Sequence, residues 1–406
     1  MSGEVLTQRR KSAESGVVTQ VRLGDVCEQV RGVSYKPTDA SLEPKEGYVP
    51  LLRANNIFEG VINHDDLVFV RQDRILASQY LRQGDVLVCT SSGSVKLVGK
   101  AAQIQANIHE SFGAFCRVLR PNARLSARYF HHYFQSETYR KKISNKAAGA
   151  NINNIRSEDL DELLIPLTPL AEQRRIAAKL DLLCDIIAKR KQQLVRLQQL
   201  VKSRFVEMFG NELEQGRWPS TTVGEVANVC VGVVIKPTQY YQESGIRAFR
   251  SLNIGEMMVK DDDWVFFSET GHAKNQKSVV HRNDVLVVRS GAPGTACVVP
   301  ERFDGCNAVD IIIARPDCNK VDPTFLAMFT NMPHGKNQIR NQIGGAAQQH
   351  YNVGGYKKLQ LIAPPLALQR EFAAFVAKVD KLAFAVKNSL ESAEKLYRQQ
   401  LSEAFA

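Results

Sequence analysis

The chain has 406 residues, 44% of them hydrophobic and 23% charged, with a formal net charge of +11. That length allows two or three separate cores, and no apolar run approaches the roughly 20 residues of a membrane-spanning helix, so the reading is a cytoplasmic protein without a membrane partner. The basic balance favours a polyanion as partner, and eight cysteines with no C-x2-C pair and no histidine at zinc-finger spacing exclude a zinc module and read as reduced thiols.

Met1–Gln20 has no apolar core and reads as a flexible polar lead-in, not a secretion signal. A first globular unit is expected over residues 21–165. It opens with VRLGDVC, then GVSYKP, where a strand ends in a turn at Lys36-Pro37. YVPLLRANNIFEGVI follows, an alternating strand that runs into the turn residues Arg53, Asn55 and Asn56. GDVLVCTSSGS is a buried strand entering a small-residue loop, which brings backbone N–H groups and hydroxyls within reach of a phosphate. Gly93…Gly99-Lys100 imitates a P-loop, but five residues separate the glycines and Ala101 stands where a magnesium-binding hydroxyl belongs, so nucleotide hydrolysis is not expected.

A strand over Phe115–Leu119 and an aromatic helix over Ala127–Lys142 come next. Within that helix His131 and His132 are adjacent, so they point to different faces, core and solvent, and do not form a metal pair. The polar loop AAGANINNI carries Asn151 and Asn153, and LLIP is a short strand before the next element.

That element is a helix over Leu170–Phe209, inside an expected spacer of residues 166–210. Thr168 supplies a capping hydroxyl and Pro169 the first position. Ile176, Leu180, Leu183, Ile187, Leu194, Leu197, Val201 and Met208 recur by threes and fours on a seven-residue beat, a coiled-coil seam interrupted by Arg190. Forty residues at about 1.5 Å each make a rod of roughly 60 Å. It carries nine Lys/Arg against four acids.

The remainder repeats the first half. Residues 211–362 echo the first unit: GVVIKP with Lys236, IRAFRSLNIGEMMV with Arg250 and Asn253, NDVLVVRSGAPG with Arg289, a helix over Pro323–Ile339, and GGAAQQHYNV with Gln348, Gln349 and His350. Residues 363–406 form a second spacer, its helix over Leu366–Phe405. Its seam of Phe372, Val376, Val379, Ala383, Val386, Leu390, Ala393, Tyr397 and Ala404 keeps the beat of the first, Phe372 matching Ile176 at an offset of 196. The frame recurs while the loop chemistry diverges.

For two such rods to pack along their seams in one chain, the second must run back against the first. The expected fold is α+β: two homologous α/β globular units separated by two long antiparallel coiled-coil helices, with a pseudo-twofold relation. Duplex DNA has a matching axis, and dimeric readers use half-sites about one turn, roughly 34–36 Å, apart. Because the loops differ, the expected target is split and asymmetric.

The GDVLV strand with its Ser/Gly loop, the Asn-rich segment before LLIPLTPLAEQRRIA, and the second copy LQLIAPPLALQREFA resemble the specificity subunit of type I restriction-modification systems. The likeness covers residues 21–406. It implies two target recognition domains reading a bipartite site in double-stranded DNA, and paired helices that set the gap. It also implies two DNA adenine-N6 methyltransferase (M) subunits and translocating restriction endonuclease (R) subunits as partners.

Recognition loops vary with their targets, so contact candidates rest on chemistry. Lys36, Lys96, Lys100, Lys236, Lys274 and Lys277 suit phosphates. Arg53, Asn55, Asn56, Asn151 and Asn153 suit base edges in one unit, and Arg250, Asn253, Arg289, Gln348, Gln349 and His350 in the other. No catalytic residue and no metal ligand are assigned. The chain lacks an Asn/Asp-Pro-Pro-aromatic motif and a glycine-rich cofactor fingerprint, so S-adenosylmethionine, ATP and magnesium are expected only in partner subunits. The alternative is a coiled-coil protein-interaction scaffold without DNA contact, which accounts for the rods but not for the charge or the Arg/Asn loops.

Overall fold

A computed structural model describes residues 18–93, 97–148, 154–210, 217–343 and 350–406. The chain divides into two units, one of Met1–Arg190 with Asn388–Ala406 and one of Lys191–Lys387. The expected α+β class with an internal repeat is what the molecule has.

In the first unit a four-stranded antiparallel sheet has the order Cys27–Arg31, Cys116–Pro121, Val86–Cys89, Ala101–Gln103. A second sheet runs Ala40–Ser41, Val68–Arg71, Tyr48–Leu52, Ser111–Phe112, its last pair parallel. Thr19–Arg22 pairs with Leu164–Leu167, just before the first long helix. The second unit repeats these sheets in the same order, and each unit adds a two-stranded one, Ile57–Phe58 with Val61–Ile62 and Ile254–Gly255 with Met258–Val259. Ala227–Val231, Ile311–Pro316, Val285–Val288 and Ala296–Val298 form the first. Tyr241–Gln242, Val265–Phe267, Ile246–Phe249 and Asn307–Ala308 form the second. Ser220–Thr222 pairs with Gln360–Ile362.

The first sheet of each unit is a wall between two cores, which is why its inner strands Val86–Cys89 and Val285–Val288 are apolar at every position instead of alternating. Val86 and Val88 face a core that holds Tyr129, Phe130, Ala177, Leu180, Leu401 and Phe405, while Leu87 and Cys89 face one that holds Leu52, Ile57 and Phe112. In the second unit Val285 and Val287 face Phe205, Phe209, Phe372 and Val376, and Leu286 and Val288 face Phe249, Val280 and Phe303. One face of each wall therefore grips the long helices and the other supports the loops.

The long helices span Leu170–Phe209 and Leu366–Phe405. Every described seam position is buried or half-buried, including Arg190. In the first unit the start of one meets the end of the other, with Cys184 against Tyr397. In the second unit the end of the first meets the start of the second: Phe205 and Phe209 lie 5.3 and 5.8 Å from the Phe372 ring, and Arg204 Nη2 reaches Glu371 Oε1 at 3.1 Å. The pair is antiparallel. Burying each such ring contributes about 1.5–3 kcal/mol.

Three local expectations change. Neither aromatic helix is continuous. The first breaks at Ser136 into Ala127–Gln135 and Glu137–Ala148, and the Ser136 hydroxyl accepts from Tyr139 N at 3.2 Å. The second breaks at Met332, before Pro333, into Pro323–Asn331 and Pro333–Ile343, because proline disfavours helical backbone in the residue it follows. The Thr168 hydroxyl is buried without a hydrogen-bond partner, so it does not cap its helix. All eight cysteines are free thiols, and Cys318 is exposed, unlike the others.

Candidate nucleic-acid interface

The loop frame is built from three backbone segments lying side by side. In the first unit Val33 N donates to Phe112 O at 2.7 Å and Gly113 N to Leu52 O at 2.9 Å. In the second, Val233 N donates to Ala308 O and Val309 N to Phe249 O, both at 2.8 Å. The approach is so close that a Cβ on Gly32 would lie 2.1 Å from Gly113 O, and one on Gly232 2.4 Å from Ala308 O. This is why both GV pairs begin with glycine. The frame delivers Ser34, Tyr35, Arg53–Asn55 and Ala114–Phe115 to one place. Ser91–Gly93 joins them, since Thr90 N, Ser91 N and the Thr90 hydroxyl all donate to Phe115 O, at 2.9, 3.1 and 3.1 Å. Together they line a cleft of about 1010 Å³. Segments that lie far apart in sequence thus converge on one surface.

The Arg/Asn turns are clamps. Asn56 is fully buried: its Oδ1 accepts from Arg53 N at 2.8 Å and its Nδ2 donates to Asn63 O and Asp65 O. Asn253 repeats this with Arg250 N and Asp262 O. Both amides are used up in holding the turn, so neither is presented to a base edge. Arg53 Nη2 donates to Asp66 O and Oδ2 at 2.7 and 3.0 Å, and Arg250 Nη2 meets Asp263 in the same way. Asp66 and Asp263 sit at φ of +54° and +48°, a left-handed backbone that the arginine ties in place. Asn55 is exposed and donates to Asp66 Oδ2 at 2.9 Å.

The other candidates fall at different places. Lys36 and Lys236 are exposed on matching turns, but Lys236 adopts φ +44° where Lys36 has −90°. Lys100 is half-buried before the strand Ala101–Gln103. Lys274 ends a short helix and Lys277 lies in the next turn, both exposed. Arg289 is largely buried, pairing with Asp310 and donating to Tyr351 O at 2.9 Å. His350 Nδ1 lies 2.5 Å from the Ser290 hydroxyl. Lys96, Asn151, Asn153, Gln348 and Gln349 lie outside the described residues.

Sequence reasoning passed over several groups. Gln173 is buried, accepting from Ser126 N at 2.8 Å and donating to Arg124 O and Thr168 O. Gln369 does the same with Asp322 N and Pro364 O. Each amide fastens the start of a long helix to the start of an aromatic helix. The signal was the recurrence of Gln at the 196 offset. His131 and His132 are both buried, so neither faces solvent. Burial holds the pKa of His132 below the usual histidine range, against the pull of Asp181, and burial with the neighbouring His132 and Arg128 charges takes His131 down to about 3. Burial pushes Asp181 up, but hydrogen bonds and charge from Arg128 and His132 outweigh it and keep the carboxyl ionised. Among the described residues no group of three or more His, Cys, Asp or Glu is placed to hold a metal, and no helix is long and apolar enough to cross a membrane.

A family model described as the type I restriction modification DNA specificity domain matches residues 17–198. The StySPI specificity subunit of Salmonella potsdam is 31% identical over 402 residues, covering 93% of this chain and 86% of that protein. The EcoKI specificity subunit of Escherichia coli K12 is 30% identical over 400 residues, with the same coverage. Among solved structures, the type I restriction-modification S subunit from M. genitalium superposes with a TM-score of 0.58 at 16% identity over 97% of both chains. A chain from a study of type I R-M complex assembly and conformational transition gives 0.55 at 21% identity, over 96% of this chain and 97% of that one. These last two likenesses concern the fold.

Proposed function

The chain belongs to the specificity subunits of type I restriction-modification systems, and we propose that its two loop frames are the readers of a bipartite, asymmetric site in duplex DNA. One observation carries the reading: two units share their sheets, clamps and glycine contacts, yet differ at the exposed positions those contacts hold out. A scaffold for a single protein partner gives no reason for that division. Residues 21–165 and 211–362 act as target recognition domains, and the helices of 166–210 and 363–406 as spacers that set the gap between half-sites.

The subunit is non-catalytic by itself. It directs adenine-N6 methylation by two M subunits and cleavage by R subunits. S-adenosylmethionine, ATP and magnesium belong to those partners, and the complex works in the cytoplasm. Lys36 and Lys236 contact phosphates, and Asn55 takes a base edge. Arg53, Asn56, Arg250 and Asn253 shape the turns that present these groups.

The test is co-expression with the M subunit followed by mapping of methylated adenines genome-wide. The expected result is one split motif, with one half changed when the loops of one unit are exchanged. Methylation at unrelated sites, or by the purified chain without M subunits, would overturn the assignment.

A further inference from the structure

The frames allow position-by-position comparison. Val33 N bonds Phe112 O as Val233 N bonds Ala308 O, and both valines bridge the following residue, Gly113 or Val309, in parallel, so Ser34 and Tyr35 correspond to Val234 and Ile235. Arg53 and Asn56 flank their turn as Arg250 and Asn253 do, so Asn55 corresponds to Leu252. Ser34, Tyr35 and Asn55 all line the first unit's cleft. Their counterparts are aliphatic and open to water: Val234 is 48% exposed, Ile235 80% and Leu252 60%.

Folding gains nothing from aliphatic side chains held out on a rigid frame. Nor is the turn beside them relaxed: Lys236, next to Ile235, adopts φ +44°, a backbone that disfavours residues with a Cβ. Next to an exposed lysine on a basic chain, the fitting surface is a polyanion that also offers apolar groups. The major groove does so only through the thymine 5-methyl group, since the other base edges there are donors and acceptors.

We propose that Ile235 and Leu252 are specificity-determining residues that read thymine 5-methyl groups, so the second unit makes apolar contacts at the positions where Tyr35 and Asn55 of the first offer hydrogen-bonding groups. The inference rests on the reading of these loops as the DNA interface. Uracil differs from thymine only by that methyl and keeps its pairing, so it isolates the contact.

The experiment uses the full chain assembled with its M subunits on duplexes carrying its own site. Each thymine in both half-sites is replaced singly by uracil, and affinity is measured for wild type, Leu252→Asn and Ile235→Ser. At least one thymine, in one half-site only, is expected to weaken wild-type binding about fourfold on losing its methyl. That penalty should vanish in one of the two variants, while thermal melting stays unchanged because both side chains are exposed. If no thymine responds, or the penalty persists in both variants, the methyl contact is overturned although specific binding stands. If wild-type complex shows no preference for its site over random duplex, the DNA reading falls and the inference with it.

Discussion

His132 Nε2 lies 2.8 Å from Asp181 Oδ1, and His132 Nδ1 lies 3.2 Å from the Tyr397 hydroxyl. One buried imidazole thus ties the first unit's aromatic helix to both long helices. Arg128 completes the knot by donating to both Asp181 oxygens and to Gln103 Oε1.

Replacing Asp181 by alanine should therefore lower stability by about 1–3 kcal/mol, the cost of unpaired buried donors. Urea denaturation measures the loss. Hydrogen exchange should place it in Ala127–Gln135, and a protection pattern unchanged there would contradict the link.

Acid should act through the same helix. The folded-state pKa of His131 is about 3, below its ordinary 6.5. The unfolded chain binds more protons, so stability is full above pH 6.5 and declines as pH falls towards 3. At pH 5 the loss from this one residue is on the order of 2 kcal/mol. His131→Phe should flatten that slope in a pH series of denaturation midpoints.

Gln173 and Gln369 make a matched pair of tests. Changing either to leucine strands a buried backbone N–H, that of Ser126 or of Asp322, and should cost about 1–3 kcal/mol. The two losses should add, because their partners lie in different units. Thermal or urea unfolding of single and double variants checks both points.

Lys36→Ala should weaken binding to all sequences alike and reduce the slope of log affinity against log salt by about one. Lys236→Gly should do the same while stabilising the fold by roughly 0.5–1 kcal/mol, since glycine accepts positive φ. Arg53→Ala, by contrast, should relax one half-site with little change in salt slope, because its Nη2 holds Asp66. Salt titrations on specific and random duplexes separate these cases.

The repeat, the rods and the seam were legible because helical period and a fixed offset survive in a one-dimensional string. The clamps were not. Arg53 and Asn56 carry the right chemistry for bases, and only the left-handed backbone at Asp66 reveals that the turn uses it. The glutamines and the buried His132 were hidden for a similar reason: each has a partner 47 or more residues away. The exposed aliphatics at Ile235 and Leu252 looked like ordinary strand and turn residues until the frames could be overlaid.

The core around Tyr129 is closed by Leu401 and Phe405, the latter ring 4.8 Å from the former's neighbour in that core, Tyr129 itself. Translation delivers those residues long after the rest of the first unit. The nascent unit must wait on the ribosome with its aromatic face open, so it is the later-made unit, sequence-contiguous over Lys191–Lys387, that is positioned to fold without delay.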